Sequence, residues 1–360
     1  MHYMEKYLDE SLSLEERADD LVSRLTVQEK VEQMIHGAKG VKRLGISEYN
    51  WWNESLHGVA RAGTATVFPQ CIGLGATFNV PLVNKIADIT STEGRAKYNV
   101  QSAHGDFDIY KGLTYWTPNI NIFRDPRWGR GHETYGEDPY LATRMGLAFV
   151  DGLQGHEKHM KIAACAKHFA VHSGPEELRH EFDARVSKKD MEETYLPAFK
   201  ALVQEGKVES VMGAYNRTNG EPCCGSKTLL QDILRDEWGF EGHVVSDCWA
   251  IRDFHENHHV TKTPEESAAM ALKNGCDLNC GCTYEYLMKA YNKGLVTEED
   301  INTAFKRLAM TWLKLGRFDR KTEFDDIPYS VVACREHRET AVEAARQSMV
   351  LLKNDGILPL

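Results

Sequence analysis

Asp247 ends a short apolar run, and this position makes it the strongest candidate for a reacting group. The preceding residues, 243–246, read His-Val-Val-Ser and predict a buried strand. Upstream, residues 226–238 predict a helix that Ser226 caps and Gly239 ends. A helix, a turn, a strand and then an acid is the order in which α/β barrels place catalytic groups. The alternative, that Asp247 only caps the following segment, has about equal weight from this stretch alone.

Polar side chains also follow two other predicted strands. Lys167 and His168 end one apolar run, and Tyr215 with Asn216 ends the next. Side chains at the ends of several strands meet at the top face of a barrel, where substrates bind. Lys167 could instead form a Schiff base, as in aldolases. The neighbouring His168 and the absence of a phosphate-binding glycine motif disfavour that alternative.

Residues 49–58 combine three aromatic rings, a carboxylate, an imidazole and amides within one short segment. Aromatic faces cover the apolar faces of sugar rings, and carboxylates accept hydrogen bonds from sugar hydroxyls. Trp51 and Trp52 fit a core cluster equally well. Glu54 is more telling, because burying a carboxylate among aromatic rings is costly unless it is paired.

A polar loop rich in glycine, residues 125–139, contributes two arginines. Arg127 and Arg130 can each make bidentate contacts, either to a ligand or to the carboxylates of the same loop. We expect internal ion pairing for one of the two.

Bulk composition excludes several classes of partner. The chain has 360 residues, with 43 basic and 53 acidic side chains and a net charge of −10. This balance disfavours nucleic acids and anionic membranes as partners. No uncharged apolar run approaches the roughly 18 residues that a membrane helix needs. The first ten residues lack the apolar core of a signal peptide, so we expect a cytoplasmic protein.

The nine cysteines are scattered and odd in number, which is typical of free thiols in a reducing compartment. Cys276, Cys280 and Cys282 match no standard zinc spacing, so we expect buried thiols and no metal. Cys248, beside Asp247, is interpreted as a packing residue, because no histidine is evidently placed to activate it.

Strand-like and helix-like segments alternate through most of the chain. This alternation predicts a mostly parallel sheet, and the absence of a G-x-G-x-x-G turn favours a barrel over an open dinucleotide-binding sheet. The predicted strands are 115–122, 161–170, 209–215, 243–247 and 277–280. The predicted helices are 14–34, 187–203, 226–238, 263–275, 297–316 and 335–353.

Five motifs in order resemble glycoside hydrolase family 3, in its β-xylosidase/β-glucosidase branch. They are Trp-Trp-Asn-Glu-Ser-Leu-His-Gly (51–58), Asp-Pro-Arg-Trp-Gly-Arg (125–130), Lys-His-Phe (167–169), Ala-Tyr-Asn (214–216) and Val-Val-Ser-Asp-Cys (244–248). The resemblance implies an α/β fold, a (β/α)8 TIM-like barrel that is the N-terminal domain of a two- or three-domain glycosidase. We expect the barrel over residues 1–316. Residues 317–360 would be a linker leading into an α/β sandwich domain missing from this chain.

By this resemblance, Asp247 is the nucleophile of a retaining, exo-acting β-glycosidase. Glu54 stands where many β-glucosidases of the family carry aspartate, and its longer side chain would crowd a C6 hydroxymethyl group and favour β-D-xylosides. Trp249 replaces a frequent aspartate and is expected on the +1 side. The remaining substrate-binding residues implied by the motifs are Arg130, Lys167, His168, Tyr215 and Arg179, with His180 as an alternative to Arg179.

The resemblance leaves the acid/base unassigned. Retaining hydrolysis needs a second carboxyl group about 5–5.5 Å from the nucleophile. The loop at 170–180 lacks the Asp-x-His pair of family N-acetylglucosaminidases, and Glu176 and Glu177 are weak local candidates. We expect the group on the missing domain, in cis or on a second chain.

Two alternatives to a β-xylosidase stay open. One is a β-glucosidase, and the other is a non-catalytic sugar-binding fragment or subunit. The chemistry needs no cofactor, and the expected partner is an oligosaccharide or glycoside, with a homo-oligomer possible.

Overall fold

A curled, parallel four-stranded sheet lies at the centre of the molecule. The computed structural model describes residues 5–172 and 174–360. The strands are β1 (Gly37–Ala38), β2 (Tyr49–Asn50), β3 (Thr114–Tyr115), β4 (Ala163–Phe169), β5 (Asp183–Ala184), β6 (Ser210–Gly213), β7 (Arg217–Thr218), β8 (Glu221–Pro222) and β9 (His243–Ser246). The central sheet has the order β3-β4-β6-β9, all parallel. A smaller sheet, β5-β7-β8, lies beyond the ends of β4 and β6 in the sequence.

Backbone hydrogen bonds extend the sheet from both edges into a closed ring. On one side Asn53 bridges to Tyr115 of β3, and on the other Leu278 bridges to Val245 of β9. Asn279 then donates to the carbonyl of Met34 at 2.9 Å. The pair β1 and β2 joins the two sides, and it is antiparallel. The barrel-like α/β fold is thus confirmed, with one antiparallel pair that a regular (β/α)8 barrel lacks.

Helices surround this ring. They are α1 (Leu14–Arg24), α2 (Val27–Gln33), α3 (Cys71–Ala76), α4 (Val80–Ala103), α5 (Pro139–Gln154), α6 (Lys188–Asp190), α7 (Pro197–Gln204), α8 (Asp253–Glu256), α9 (Pro264–Lys273), α10 (Leu287–Asn292), α11 (Glu298–Lys314) and α12 (Arg335–Ser348). Two stretches with wider π-type hydrogen bonding are Met191–Tyr195 and Thr228–Glu237. No helix in the described ranges is long and apolar enough to cross a membrane.

Two of the predicted elements are wrong in extent, each for a local reason. The predicted helix 14–34 is interrupted, because Thr26 accepts from the N–H of Glu29 and starts α2 with its own capping box. The predicted strand 115–122 keeps only its first residue in β3, because Pro118 has no N–H to continue the ladder.

Two further predicted elements differ from the structure. Residues 277–280 contribute only isolated bridges to the ring instead of a strand. The predicted helix 187–203 is divided into α6, a π-type stretch and α7, with Pro197 at the start of the last piece.

The helix before Asp247 forms as expected. Ser226 Oγ accepts from the N–H of Leu229 at 2.9 Å, and Gly239 follows the helix with φ of 70°. Below the site, Asp277 accepts from Arg235 at 2.9 Å and from Arg307 at 2.8 Å, and both contacts are inside the protein. This cluster of three charges ties the helix and α11 to the base of β9.

The segment after α11 packs against the barrel. Asn99 of α4 donates to the carbonyl of Phe324 at 2.8 Å, and Arg95 lies 4.8 Å from the Phe324 ring centre. In α12, Ala344 is fully buried, and the helix contacts α3 and α4. Residues 349–360 form neither helix nor strand and are exposed. The domain boundary at residue 316 stays a prediction.

Candidate active site

The strands β4, β6 and β9 end at one cavity of about 790 Å³. The eight side chains predicted to be the nucleophile or to bind substrate all line it: Glu54, Arg130, Lys167, His168, Arg179, Tyr215, Asp247 and Trp249. These residues are spread over nearly 200 positions of the chain, and the ring of strand ends is what brings them together. Their roles remain predictions.

Asp247 leaves the end of β9 and points into a crowded, polar corner. Its side chain is 8% exposed. Oδ1 accepts from the backbone N–H of Cys248 at 2.8 Å. Oδ2 lies 3.6 Å from His168 Nε2 and 3.9 Å from Arg130 Nη1, and has no hydrogen-bond partner among the described residues. One carboxylate oxygen is therefore anchored, and the other has only long polar contacts.

Burial and the nearby cations have opposite effects on the pKa of Asp247. Burial raises the pKa of Asp247 above its ordinary value, while Arg130 and Lys167 act in the opposite direction. The cations thereby offset part of the cost of holding a carboxylate in this cavity. A carboxylate with a raised pKa is a common mark of a functional site.

Arg130 is itself held by a second acid. Its Nε and Nη2 donate to the two oxygens of Glu133 at 3.0 and 2.7 Å. Although burial opposes its charge, Glu133 and Asp247 raise the pKa of Arg130. Arg127 also forms an ion pair within the loop, with Asp125. Internal ion pairing was expected for one of the two arginines, and both show it. They differ in exposure, which is 73% for Arg127 and 19% for Arg130.

Lys167 and Glu54 form a second charged pair in the cavity lining. Lys167 Nζ lies 3.4 Å from Glu54 Oε2, and Trp52 Nε1 donates to Glu54 Oε1 at 3.1 Å. The Lys167 side chain is 3% exposed and that of Glu54 is 23% exposed. Glu54 thus has the partners that a carboxylate among aromatic rings needs.

His168 is neutral, and its tautomer follows from Asn121. Asn121 Nδ2 donates to the carbonyl of His168 at 2.8 Å, so its Oδ1 is the acceptor for His168 Nδ1 at 2.9 Å. Burial and Arg130 lower the pKa of His168 well below its ordinary value. The proton is therefore on Nδ1, and Nε2 offers a lone pair beside Asp247.

Tyr215 and Arg179 complete the wall next to Asp247. Burial and the neighbouring Asp247 raise the pKa of Tyr215, so its hydroxyl keeps its proton. The Arg179 guanidinium lies 5.2 Å from the Tyr215 ring centre, and its Nη1 lies 3.2 Å from Glu176 Oε1. His180 instead bonds to Asp253 at 2.8 Å. Arg179, and not His180, lines the cavity.

Aromatic rings form the outer wall. Trp249, with φ of 63° and 40% exposure, meets Trp52 edge-on at 6.1 Å. Trp52 in turn stacks on Trp116 at 5.7 Å. Trp51 lies in the core, stacked on Trp312 at 5.2 Å. Of the two adjacent tryptophans, the cavity residue is therefore Trp52.

The expectation of free thiols is wrong for Cys248 and Cys280, which form a disulfide. Trp249 N donates to the carbonyl of Cys280 at 2.7 Å, so neighbouring ends of the ring bring together two residues 32 positions apart. Cys276 is buried as expected, whereas Cys282 is exposed because it lies in the loop after the ring. In residues 5–172 and 174–360, no group of three His, Cys, Asp or Glu side chains is placed to hold a metal ion.

Several cavity residues were missed at the sequence level. Glu133, Trp116 and Met212 line the cavity, as does much of the loop 58–67. Only Glu133 had a usable signal, its spacing of three residues from Arg130. The others reach the cavity through contacts distant in sequence.

Comparison with known proteins decides the family. The sequence model described as "Glycosyl hydrolase family 3 N terminal domain" matches residues 18–311. The chain belongs to glycoside hydrolase family 3.

Curated relatives in this family extend well beyond the chain. A xylan 1,4-β-xylosidase of Xylanibacter ruminicola is 48% identical over 98% of this chain and 42% of its own length. A β-xylosidase/α-L-arabinofuranosidase of Medicago sativa subsp. varia is 43% identical over 98% of this chain and 48% of its own length. The chain spans about half the length of the curated relatives it matches.

Solved structures give the same picture. A family 3 exo-β-xylosidase in complex with a xylobiose aziridine activity-based probe superposes with a TM-score of 0.91 and 35% identity. The match covers 98% of this chain and 47% of that one. A β-glucosidase from Erythrobacter marinus gives a TM-score of 0.86 and 28% identity, over 99% of this chain and 52% of that one.

We expect Arg130→Gln to raise the pKa of Asp247 further. The variant removes a cation 3.9 Å from Oδ2 and frees the charge of Glu133, and both changes disfavour a second negative charge. The measurement is a ¹³C titration of aspartate-labelled full-length protein. The matched control is Arg127→Gln in the same loop, which should leave the Asp247 titration unchanged. An unchanged titration in Arg130→Gln would show that Arg130 does not set the charge of Asp247.

Proposed function

We propose that the full-length protein is a retaining, exo-acting β-glycosidase that removes terminal non-reducing β-D-xylosyl residues. The observation that carries this proposal is the Asp247 carboxylate, buried at a strand end between Arg130, Lys167 and neutral His168. The relatives named as β-xylosidases support the choice of sugar. Xylo-oligosaccharides and aryl or plant β-xylosides are the substrate class.

In the proposed reaction, Asp247 attacks the anomeric carbon as the glycosidic bond breaks. The electron pair leaves with the aglycone oxygen, which takes a proton from an acid, and a glycosyl ester on Asp247 results. Water then attacks the same carbon, gives a proton to the acid's conjugate base and releases the sugar with its original β configuration. Tyr215, held in its protonated form, can donate a hydrogen bond to the Asp247 carboxylate before the attack and after the sugar is released.

The remaining cavity residues fit recognition of the sugar hydroxyls. Lys167 offers donors, Glu54 offers acceptors, and His168 Nε2 accepts from a hydroxyl close to the nucleophile. Arg130 offers Nη1 toward the same region, since Glu133 occupies its other nitrogens. Trp249 and Trp52 provide apolar faces at the outer side, where the aglycone would lie.

We propose that the acid/base carboxyl comes from the C-terminal domain, in cis or on a second chain. Neither Glu176 nor Glu177 is among the side chains that line the cavity. Glu176 pairs with Arg179, with 3.2 Å between Oε1 and Nη1. The relatives' extra length leaves ample room for this group.

A β-glucosidase is the second candidate, favoured by the solved β-glucosidases with the same fold. Glu54 argues for xylose. Its carboxylate is fixed by Lys167 and Trp52, so it has little freedom to retreat from a C6 hydroxymethyl group.

We expect Asp247→Asn to abolish hydrolysis of an aryl β-xyloside by the full-length protein. The amide keeps the shape of the side chain but cannot form the glycosyl ester, so kcat/KM should fall at least about 10⁴-fold. Asp236→Asn, at an exposed position on the preceding helix, is the matched control and should keep the parent rate. An unaltered rate in Asp247→Asn would refute the proposed chemistry.

Shortening Glu54 should relax the preference for xylose. We expect Glu54→Asp to raise the ratio of kcat/KM for aryl β-glucoside to that for aryl β-xyloside by about tenfold, the range that one added group in a pocket controls. Both kcat/KM values are measured on one preparation, so the fraction of active protein has no effect on their ratio. A ratio equal to that of the parent would remove Glu54 as the specificity determinant.

A further inference from the structure

Glu93 lies behind the cavity, and its carboxylate holds one of the cavity walls. It is on α4 and is only 1% exposed. Oε2 accepts from the backbone N–H of Thr66 at 2.8 Å, and Oε1 accepts from the Thr66 hydroxyl at 2.6 Å. Ala65 and Val67, on either side of Thr66, line the cavity. The wall is therefore fastened to α4 from behind.

The wall loop, residues 58–67, depends on such anchors. Residues 60–65 are half-buried or exposed, so they gain little from apolar packing. Lys97, one turn beyond Glu93, donates to the carbonyl of Thr64 at 2.9 Å. Segments with little buried apolar surface open at low free-energy cost unless polar contacts restrain them.

The same carboxylate also binds the segment that follows α11. The N–H of Ala333 donates to Oε1 at 2.9 Å, and His337 Nδ1 bonds to Oε1 at 2.7 Å. His337 belongs to α12. One buried side chain of α4 therefore joins the wall loop to residues 333–337, through four donors in all.

A buried carboxylate with four donors is costly to disturb. Neutralising it, or removing one donor, weakens charge-assisted hydrogen bonds that are buried inside the protein. Glu93 does not line the cavity, so it has no direct part in the chemistry.

We infer that Glu93 is a positioning residue for substrate binding. It holds the wall loop in its binding shape and couples that shape to residues 333–337. The inference rests on the proposed function only for the identity of the substrate.

The test compares Thr66→Val, Thr66→Ser and Glu93→Gln in the full-length protein. Thr66→Val removes one donor and keeps the side-chain shape, and Glu93→Gln removes the charge. Both should raise KM for an aryl β-xyloside about tenfold and change kcat less than about threefold, as expected when ground-state binding is lost. Both should also speed backbone amide exchange in residues 58–67. Thr66→Ser keeps the hydroxyl and should match the parent in both measurements.

Ser91→Ala is the matched stability control. Ser91 donates to the carbonyl of Gly152 at 3.1 Å, so its loss weakens the same helix on the side that faces α5. This variant should lower the melting temperature and leave KM and loop exchange unchanged. If Ser91→Ala reproduces the KM change, or if Thr66→Val leaves KM and exchange at parent values, Glu93 has only a structural role.

His337→Leu tests the coupling itself. Losing this donor should speed amide exchange in the wall loop, and unchanged exchange there would overturn the link to residues 333–337. Amide exchange needs no turnover. A full-length protein that fails to hydrolyse xylosides would refute the proposed function, and the exchange data would still decide the role of Glu93.

Discussion

The burial of the Asp247 carboxylate is the constraint on which the cavity depends. A charge at 8% exposure needs compensation, which comes from Arg130 and Lys167. Each cation then has its own carboxylate, Glu133 for Arg130 and Glu54 for Lys167. The charges therefore alternate outward from the strand end. This order explains why acids and bases from distant parts of the chain converge there, and why neutral His168 can lie beside Asp247 as an acceptor.

The barrel supplies the rigidity that this arrangement requires. Asp247 follows β9, whose start is held by Asp277: the N–H of Val244 donates to Oδ2 at 2.8 Å. Arg235 and Arg307 fix Asp277 in turn. Strand ends carried on a closed ring of hydrogen bonds have little freedom to move apart. Catalytic geometry that must hold within a fraction of an ångström is best carried on such elements.

The cavity residues that could be predicted from the sequence are those that a local sequence pattern marks. Asp247, Lys167 and Tyr215 could be found because strand ends and polar side chains coincide, and the family motifs supplied Arg179 and Trp249. Contacts between distant segments had no local signal. The disulfide of Cys248 joins residues that only the closed ring brings together. Residues 277–280 contribute isolated bridges, which the alternation of strand-like and helix-like segments cannot distinguish from a strand. The role of Glu93 was invisible for the same reason, since its partners lie 27 and more than 200 positions away.

The proposed mechanism requires a covalent bond between an oxygen of Asp247 and the sugar. The most direct measurement is mass spectrometry of the full-length protein after reaction with a 2-deoxy-2-fluoro-β-xyloside, which slows the second step and traps the intermediate. We predict one added fluoroxylosyl group per protein, on the peptide that contains Asp247. A label on another carboxylate, or turnover of the natural substrate without any trapped intermediate, would contradict it.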